Sequence, residues 1–113
     1  GAVITDEAGI VLATGFNGVP QGLAHCNEGN PCSGAEAASG TRLEECLAIH
    51  AEQNALIHLS DPWRAANIYI TTEPCIHCTK MLLNTPIHTI YSREGYPGGT
   101  SLWKGAGRKA VKI

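Results

Sequence analysis

His50 and Glu52 stand two apart in Ile49-His50-Ala51-Glu52, and Pro74-Cys75-Ile76-His77-Cys78 begins 22 residues after Glu52. One imidazole and two thiols form a donor set suited to Zn²⁺, which usually takes four ligands. Three protein ligands leave the fourth position to water, which is the pattern of a catalytic zinc. Bound zinc can bring the pKa of its water to about 7. Glu52, two residues from the ligand His50, is then the carboxylate that takes the proton and later returns it. The chemistry implied is hydrolytic attack on an electrophilic carbon. A C-x-x-C pair alone could instead belong to a closed structural zinc site or to a packed core. The preceding Pro74 and the H-x-E segment favour catalysis.

Such a site needs elements that bring His50 to the two cysteines. Cys75 and Cys78 are three apart, so a helix would place them on one face. Near a helix N-terminus, both thiols are eased toward thiolate. Pro74 suits a first helical turn, so a helix is expected over 75–83. A second helical stretch covers 42–59, with a break near Ile49 and the helix proper opening at His50. Strands are expected over 3–5 and 10–14, joined as a hairpin through Asp6-Glu7-Ala8-Gly9. Further strands are expected over 67–71, 87–91 and 110–113, with a short helix over 102–107. Glycine-rich loops cover 15–40 and 95–100, and long loops in compact domains are often functional. The alternation predicts an α/β layer structure around a mixed sheet.

Other properties bound the reading. A chain of 113 residues suits a single domain over 1–113. The net charge of −2 lacks the basic surplus of a nucleic-acid binder, which favours a small-molecule substrate over a nucleic acid polymer. No apolar run approaches a membrane span. Five cysteines, two of them in metal spacing, favour thiolate ligation over disulfides and a reducing cytoplasm. The chain opens on strand-like Gly1-Ala2-Val3-Ile4 without Met, so the natural protein is expected to begin earlier.

These segments together resemble the cytidine and deoxycytidylate deaminase superfamily, whose zinc pattern is H-x-E…P-C-x-x-C. Gly1-Ala2-Val3-Ile4 is similar to the family's first strand, and Gly15-Phe16-Asn17-Gly18-Val19-Pro20-Gln21-Gly22 to its G-[YF]-N-G-x-P-x-G loop. His50-Ala51-Glu52-Gln53-Asn54-Ala55 and Thr72-Glu73-Pro74-Cys75-Ile76-His77-Cys78 resemble its two metal segments. The Asn-Gly-x-Pro loop favours the deoxycytidylate branch. The resemblance implies a three-layer α/β/α fold with a central mixed sheet of about five strands. It implies hydrolysis of dCMP to dUMP and ammonia, with His50, Cys75 and Cys78 on zinc and Glu52 catalytic. It also implies that Asn17 bonds the sugar or base, that the Ala51 N–H meets the pyrimidine carbonyl, and that the Glu73 region accepts from the leaving amine. Tyr96 would lie near the nucleotide and Arg93 could approach a phosphate. A homo-oligomer, often a hexamer, and feedback by dCTP and dTTP are further implications. The family's N-terminal helix with basic residues is not in this sequence, and Pro86 stands where an Ala-Gly pair is common.

Cys26, Cys32 and Cys46 remain, with His25 beside Cys26. In similar proteins this grouping resembles a second, structural zinc site that would pin the long loop. Three reduced, unligated cysteines are the alternative. Read by itself, Asn17 is a turn former, and Tyr96 and Arg93 are ordinary surface residues of a glycine-rich loop. Trp63 and Trp103 are expected to pack in the core or at an interface. Arg108, Lys109 and Lys112 read as a basic tail or a solvated strand end. The rival activities are deamination of free cytidine, a tRNA base or a riboflavin precursor, and a deaminase-like zinc module without turnover. Glu52 speaks against the last, because a structural zinc needs no free carboxylate.

Overall fold

The computed structural model describes residues 1–18 and 49–113. Strand β1 (Ala2–Thr5) turns into β2 (Val11–Gly15) as an antiparallel hairpin. Asp6 closes that turn: its Oδ1 accepts the N–H groups of Ala8 and Ile10, both at 2.9 Å, and Gly9 supplies a positive φ of 84°. On its other edge, β1 pairs antiparallel with β3 (Asn67–Thr72). The next pairings, of β3 with β4 (Thr89–Glu94) and of β4 with β5 (Lys109–Lys112), are parallel. The sheet therefore has five strands in the order β2-β1-β3-β4-β5.

Parallel neighbours need crossover connections. Helix α2 (Ile76–Leu83) bridges β3 to β4, and the short α3 (Ser101–Gly105) bridges β4 to β5. Helix α1 (Ala51–Ile57) packs against β2 and β1. One core joins all of these: Ala2, Ile4, Ile68, Ile70 and Ile90 of the strands meet Ala51, Ala55, Leu82 and Trp103 of the helices. All three helices of the described residues thus share one face of the sheet. On the other face Tyr69 and Tyr91 stack, their ring centroids 4.6 Å apart. The expected mixed α/β sheet is present, and no helix among the described residues covers its tyrosine side. No helix among the described residues is long and apolar enough to cross a membrane.

Several expectations shift. The second helix begins at Ile76, with Cys75 as its N-cap in extended conformation, so Pro74 precedes the helix and is not in its first turn. Helix α1 begins at Ala51 with His50 as N-cap and ends at Ile57, two residues short of Leu59. Strand β4 starts at Thr89, and Ile87 before it is fully buried. Trp103 packs in the core, and its Nε1–H donates to Lys109 O at 2.8 Å. Trp63 is 82% exposed on a 3₁₀ turn over Pro62–Arg64, so burial in the core is overturned for it. Arg108 is neither tail nor solvated end. Its guanidinium donates to the carbonyls of Leu82, Leu83, Thr85 and Ile87 at 2.8–3.3 Å, with the ring of Trp103 5.0 Å away. It thereby satisfies carbonyls at the C-terminus of α2, where a cation is also favoured by the helix dipole.

Candidate active site

Two helix starts converge on the His50, Cys75 and Cys78 side chains. As the N-cap of α1, His50 donates its backbone N–H to Gln53 Oε1 at 3.0 Å, the half of a capping box supplied by the third helical residue. Asn17 reaches the same helix end from the segment after β2: its Oδ1 accepts the Ala51 N–H at 2.7 Å. The Nδ2 of Asn54 donates to Phe16 O at 3.1 Å, and Gly18 pairs with Ile49 through backbone hydrogen bonds. Gly15 is required by close approach, because a Cβ there would overlap Ala51 O and Ala55 N of α1. On the second helix, Thr79 Oγ1 donates to Cys75 O at 2.9 Å and fixes the cysteine-bearing turn.

The three donors sit close together. His50 Nδ1 lies 3.2 Å from Cys78 Sγ and 3.5 Å from Cys75 Sγ. All three donor atoms lie within 4.8 Å of one another. Tetrahedral zinc with ordinary Zn–N and Zn–S bonds separates nitrogen from sulfur by about 3.5 Å, so the cluster fits the ion in atom type and in spacing. Both cysteines are buried at 4% and 0% exposure. The electrostatics show how closely the groups are coupled. A hydrogen bond from Cys78, and then one from His50, draws the Cys75 thiol down to about 3, which makes it a thiolate. Cys78 keeps its proton, pushed up by its bond to Cys75, by burial and by the adjacent Glu52. The Cys75 thiolate, ahead of Glu52, raises the imidazole of His50. Without a cation the sulfurs share protons, and a divalent cation would replace them.

Glu52 is 8% exposed on the first turn of α1, and its carboxylate bears on the Cys78 thiol. The carboxylate of Glu73 accepts the Tyr96 N–H at 3.0 Å and the Thr100 hydroxyl at 3.3 Å. Burial, ahead of the cysteine pair, holds the Tyr96 phenol above its usual range. Arg93 is not gathered there. It is exposed and lines a cavity of about 450 Å³ on the open face with Tyr69 and Thr71. His25, Cys26, Cys32 and Cys46 lie outside the described residues. The sequence assigns no role to Gly15, Gln53, Thr79 or Thr100. Gly15 and Gln53 stand inside the quoted segments, and Gln53 carries a local signal as a Gln three residues after a helix-opening position.

Residues 1–93 match the family described as the cytidine and deoxycytidylate deaminase zinc-binding region, and the chain belongs to that family. It is 35% identical over 105 residues to the deoxycytidylate deaminase of Schizosaccharomyces pombe, covering 86% of this chain and 32% of that protein. It is 34% identical over 102 residues to the deoxycytidylate deaminase of Mycobacterium phage D29, covering 83% of this chain and 77% of that protein. The chain spans about a third of the length of the fungal relatives it matches. Among solved structures, the dCMP deaminase of cyanophage S-TIM5 in complex with dCMP and dUMP superposes with a TM-score of 0.73 at 24% identity, over 99% of this chain and 79% of that one. The fold is therefore cytidine-deaminase-like.

Proposed function

We propose that this chain is a zinc-dependent hydrolytic deaminase that converts dCMP and water to dUMP and ammonia. The observation that carries the reading is the convergence of His50 Nδ1 and the two cysteine sulfurs beside the buried carboxylate of Glu52. His50, Cys75 and Cys78 would hold Zn²⁺, which when bound supplies a Lewis acid that makes water nucleophilic at neutral pH. Glu52 takes a proton from the attacking water and delivers it to ring N3 of the cytosine, then takes the second proton from the new C4 hydroxyl and delivers it to the departing amine as C4–N breaks. Burial keeps the carboxylate aimed and strengthens its interaction with the charge that develops.

Around that centre, Asn17 bonds the sugar or base through its remaining Nδ2 donors. The Ala51 N–H would pass from Asn17 to the pyrimidine carbonyl when substrate enters. Tyr96 lies against the nucleotide, and the Glu73 region faces the leaving amine. The position of Arg93 on the open face does not support a phosphate contact from it. Relatives named deoxycytidylate deaminase support dCMP over cytidine, a tRNA base or a riboflavin precursor as the substrate. The same reading carries a cytoplasmic homo-oligomer, a hexamer by family resemblance, with dCTP and dTTP as effectors. It also carries a second, structural zinc on Cys26, Cys32 and Cys46, with His25 as a candidate fourth ligand.

The test is ammonia release from dCMP, CMP, deoxycytidine, cytosine and 5-methyl-dCMP, with zinc counted on the same sample. Turnover of dCMP with two zinc ions per chain is the expected result. Activity on deoxycytidine or cytosine but not on dCMP would overturn the substrate. A single zinc per chain would remove the second site.

A further inference from the structure

We propose that Glu73, two residues before Cys75, is a positioning residue whose carboxylate clamps the turn from Tyr96 to Thr100 and so sets where Tyr96 stands relative to the cysteine segment. Glu73 stands where two structures meet. Its backbone N–H donates to Glu94 O at 2.9 Å and continues the pairing at the end of β3 and β4. Its side chain then turns into the loop beyond β4. Oε1 accepts the Tyr96 N–H at 3.0 Å, and Oε2 accepts the Thr100 hydroxyl at 3.3 Å. One carboxylate thus grips both ends of a five-residue turn.

Backbone bonds from Ser101 N to Gly98 O at 3.3 Å and from Lys104 N to Thr100 O at 2.9 Å join the turn to α3. A backbone bond from Gly99 N to Tyr96 O at 2.8 Å closes it internally, and Gly98 turns through a φ of 70°. Gly99 shows how closely the turn sits on Glu73: a Cβ there would come within 2.7 Å of Glu73 Cβ and 3.1 Å of Tyr96 O. Glycine lets the turn seat against the Glu73 side chain at that distance. Hydrogen bonds to an ionised acceptor are shorter and stronger than neutral ones, so an acid is the side chain suited to the clamp. Glu73 stands two residues before Cys75, so its bond to the Tyr96 N–H ties the turn to the segment that carries the cysteines.

The inference rests on the deaminase reading for its kinetic arm only. The experiment compares Glu73→Ala, Glu73→Gln, Tyr96→Ala and Glu73→Ala/Tyr96→Ala in the zinc-loaded protein, by dCMP kinetics and by amide hydrogen exchange at Tyr96. Glu73→Ala should accelerate Tyr96 exchange and lower kcat/KM about tenfold, since an ordered contact is lost and the loop loosens. Glu73→Gln should stay within about threefold of the parent, because the amide oxygen still accepts the Tyr96 N–H. In the Tyr96→Ala background, Glu73→Ala should cost nothing further. An equal loss in both backgrounds would overturn the clamp. So would Glu73→Gln falling as far as Glu73→Ala, which would mean that the charge itself serves the chemistry. Should Glu73→Ala fail to fold, Thr100→Val removes one of the two bonds in a nearly isosteric way. It should lower kcat/KM in the parent and leave the Tyr96→Ala background unchanged, and a loss in both again overturns the proposal. Hydrogen exchange needs no substrate. A protein inactive on dCMP in which Glu73→Ala still frees the Tyr96 amide would sink the deaminase reading and support the clamp, whereas unchanged exchange would sink the clamp.

Discussion

The two faces of the sheet use the same strands for different ends. On one face Ile4, Ile68 and Ile90 are fully buried under the helices, and two helix starts hold an imidazole and two sulfurs within 4.8 Å of one another, with the buried Glu52 on the first turn of α1. On the other, Tyr69 is 38% exposed, stacked on Tyr91, and Arg93 lines an open cavity. Strand geometry sends successive side chains to opposite faces, so a shift of one residue separates chemistry from surface. A site that must hold polar groups to fractions of an ångström is built where packing is densest.

The largest expected effect tests whether the packed face is catalytic or merely metal-binding. Glu52→Gln keeps the size of the side chain and all three metal donors, and removes only the group that moves protons. Turnover of dCMP should fall about a thousandfold, within the range for loss of a general acid–base, while zinc content stays at the parent level. A variant that kept normal turnover would break the assignment of Glu52. One that lost its zinc would show the carboxylate to be part of the metal site.

The features of the packed face that were legible in the sequence are local ones. Cys75 and Cys78 are three apart and His50 and Glu52 two apart, and such spacings convert directly into geometry at the start of a helix. Alternation in 67–71 marks β3, which runs one residue further to Thr72. What stayed hidden depends on partners far along the chain. Arg108 reads as part of a basic cluster until the fold brings it to the end of α2, where four carbonyls await it. Trp63 reads as a packing residue, yet nothing among the described residues covers it. For Glu73 the resemblance implies a place at the leaving amine, whereas its bonds to Tyr96 and Thr100 follow from the pairing of β3 with β4 and have no local signal. Helix starts were displaced by one residue, since a ligand at an N-cap and one at the first helical position give the same sequence pattern.

A smaller effect is expected where the packed face is tightest. Gly15 has an ordinary negative-φ backbone, so crowding and not strain decides its identity. Gly15→Ala would press a methyl group into the backbone of α1 at Ala51 and Ala55 and displace the helix that presents His50 and Glu52. A shift of about 1 Å can cost about a hundredfold in rate. The expected outcome is a loss of ten- to a hundredfold, roughly, in kcat/KM on that basis, with weaker zinc retention on dialysis against a chelator. Full activity would mean that α1 can slide over β2 without disturbing the site, and the packed face would be less rigid than its contacts imply.

The mildest test compares neighbours on a single strand. Ile68 is fully buried among Ile4, Ile90 and the helices, and truncation to Ala leaves a cavity that costs about 2–5 kcal/mol. Tyr69, next along β3, gives up its stack on Tyr91 and some exposed surface, worth about 1 kcal/mol. Urea unfolding of Ile68→Ala and Tyr69→Ala, each with zinc bound, measures the difference. If the two midpoints fall together, the tyrosine face is as well packed as the helical one, so that residues outside the described segments, or a second copy of the chain, cover it. If they separate as expected, the open face is free to vary in sequence while the helical face is not. Substitutions tolerated on β3 and β4 should then alternate along each strand, with Tyr69, Thr71, Tyr91 and Arg93 accepting change that Ile68, Ile70, Ile90 and Ser92 refuse.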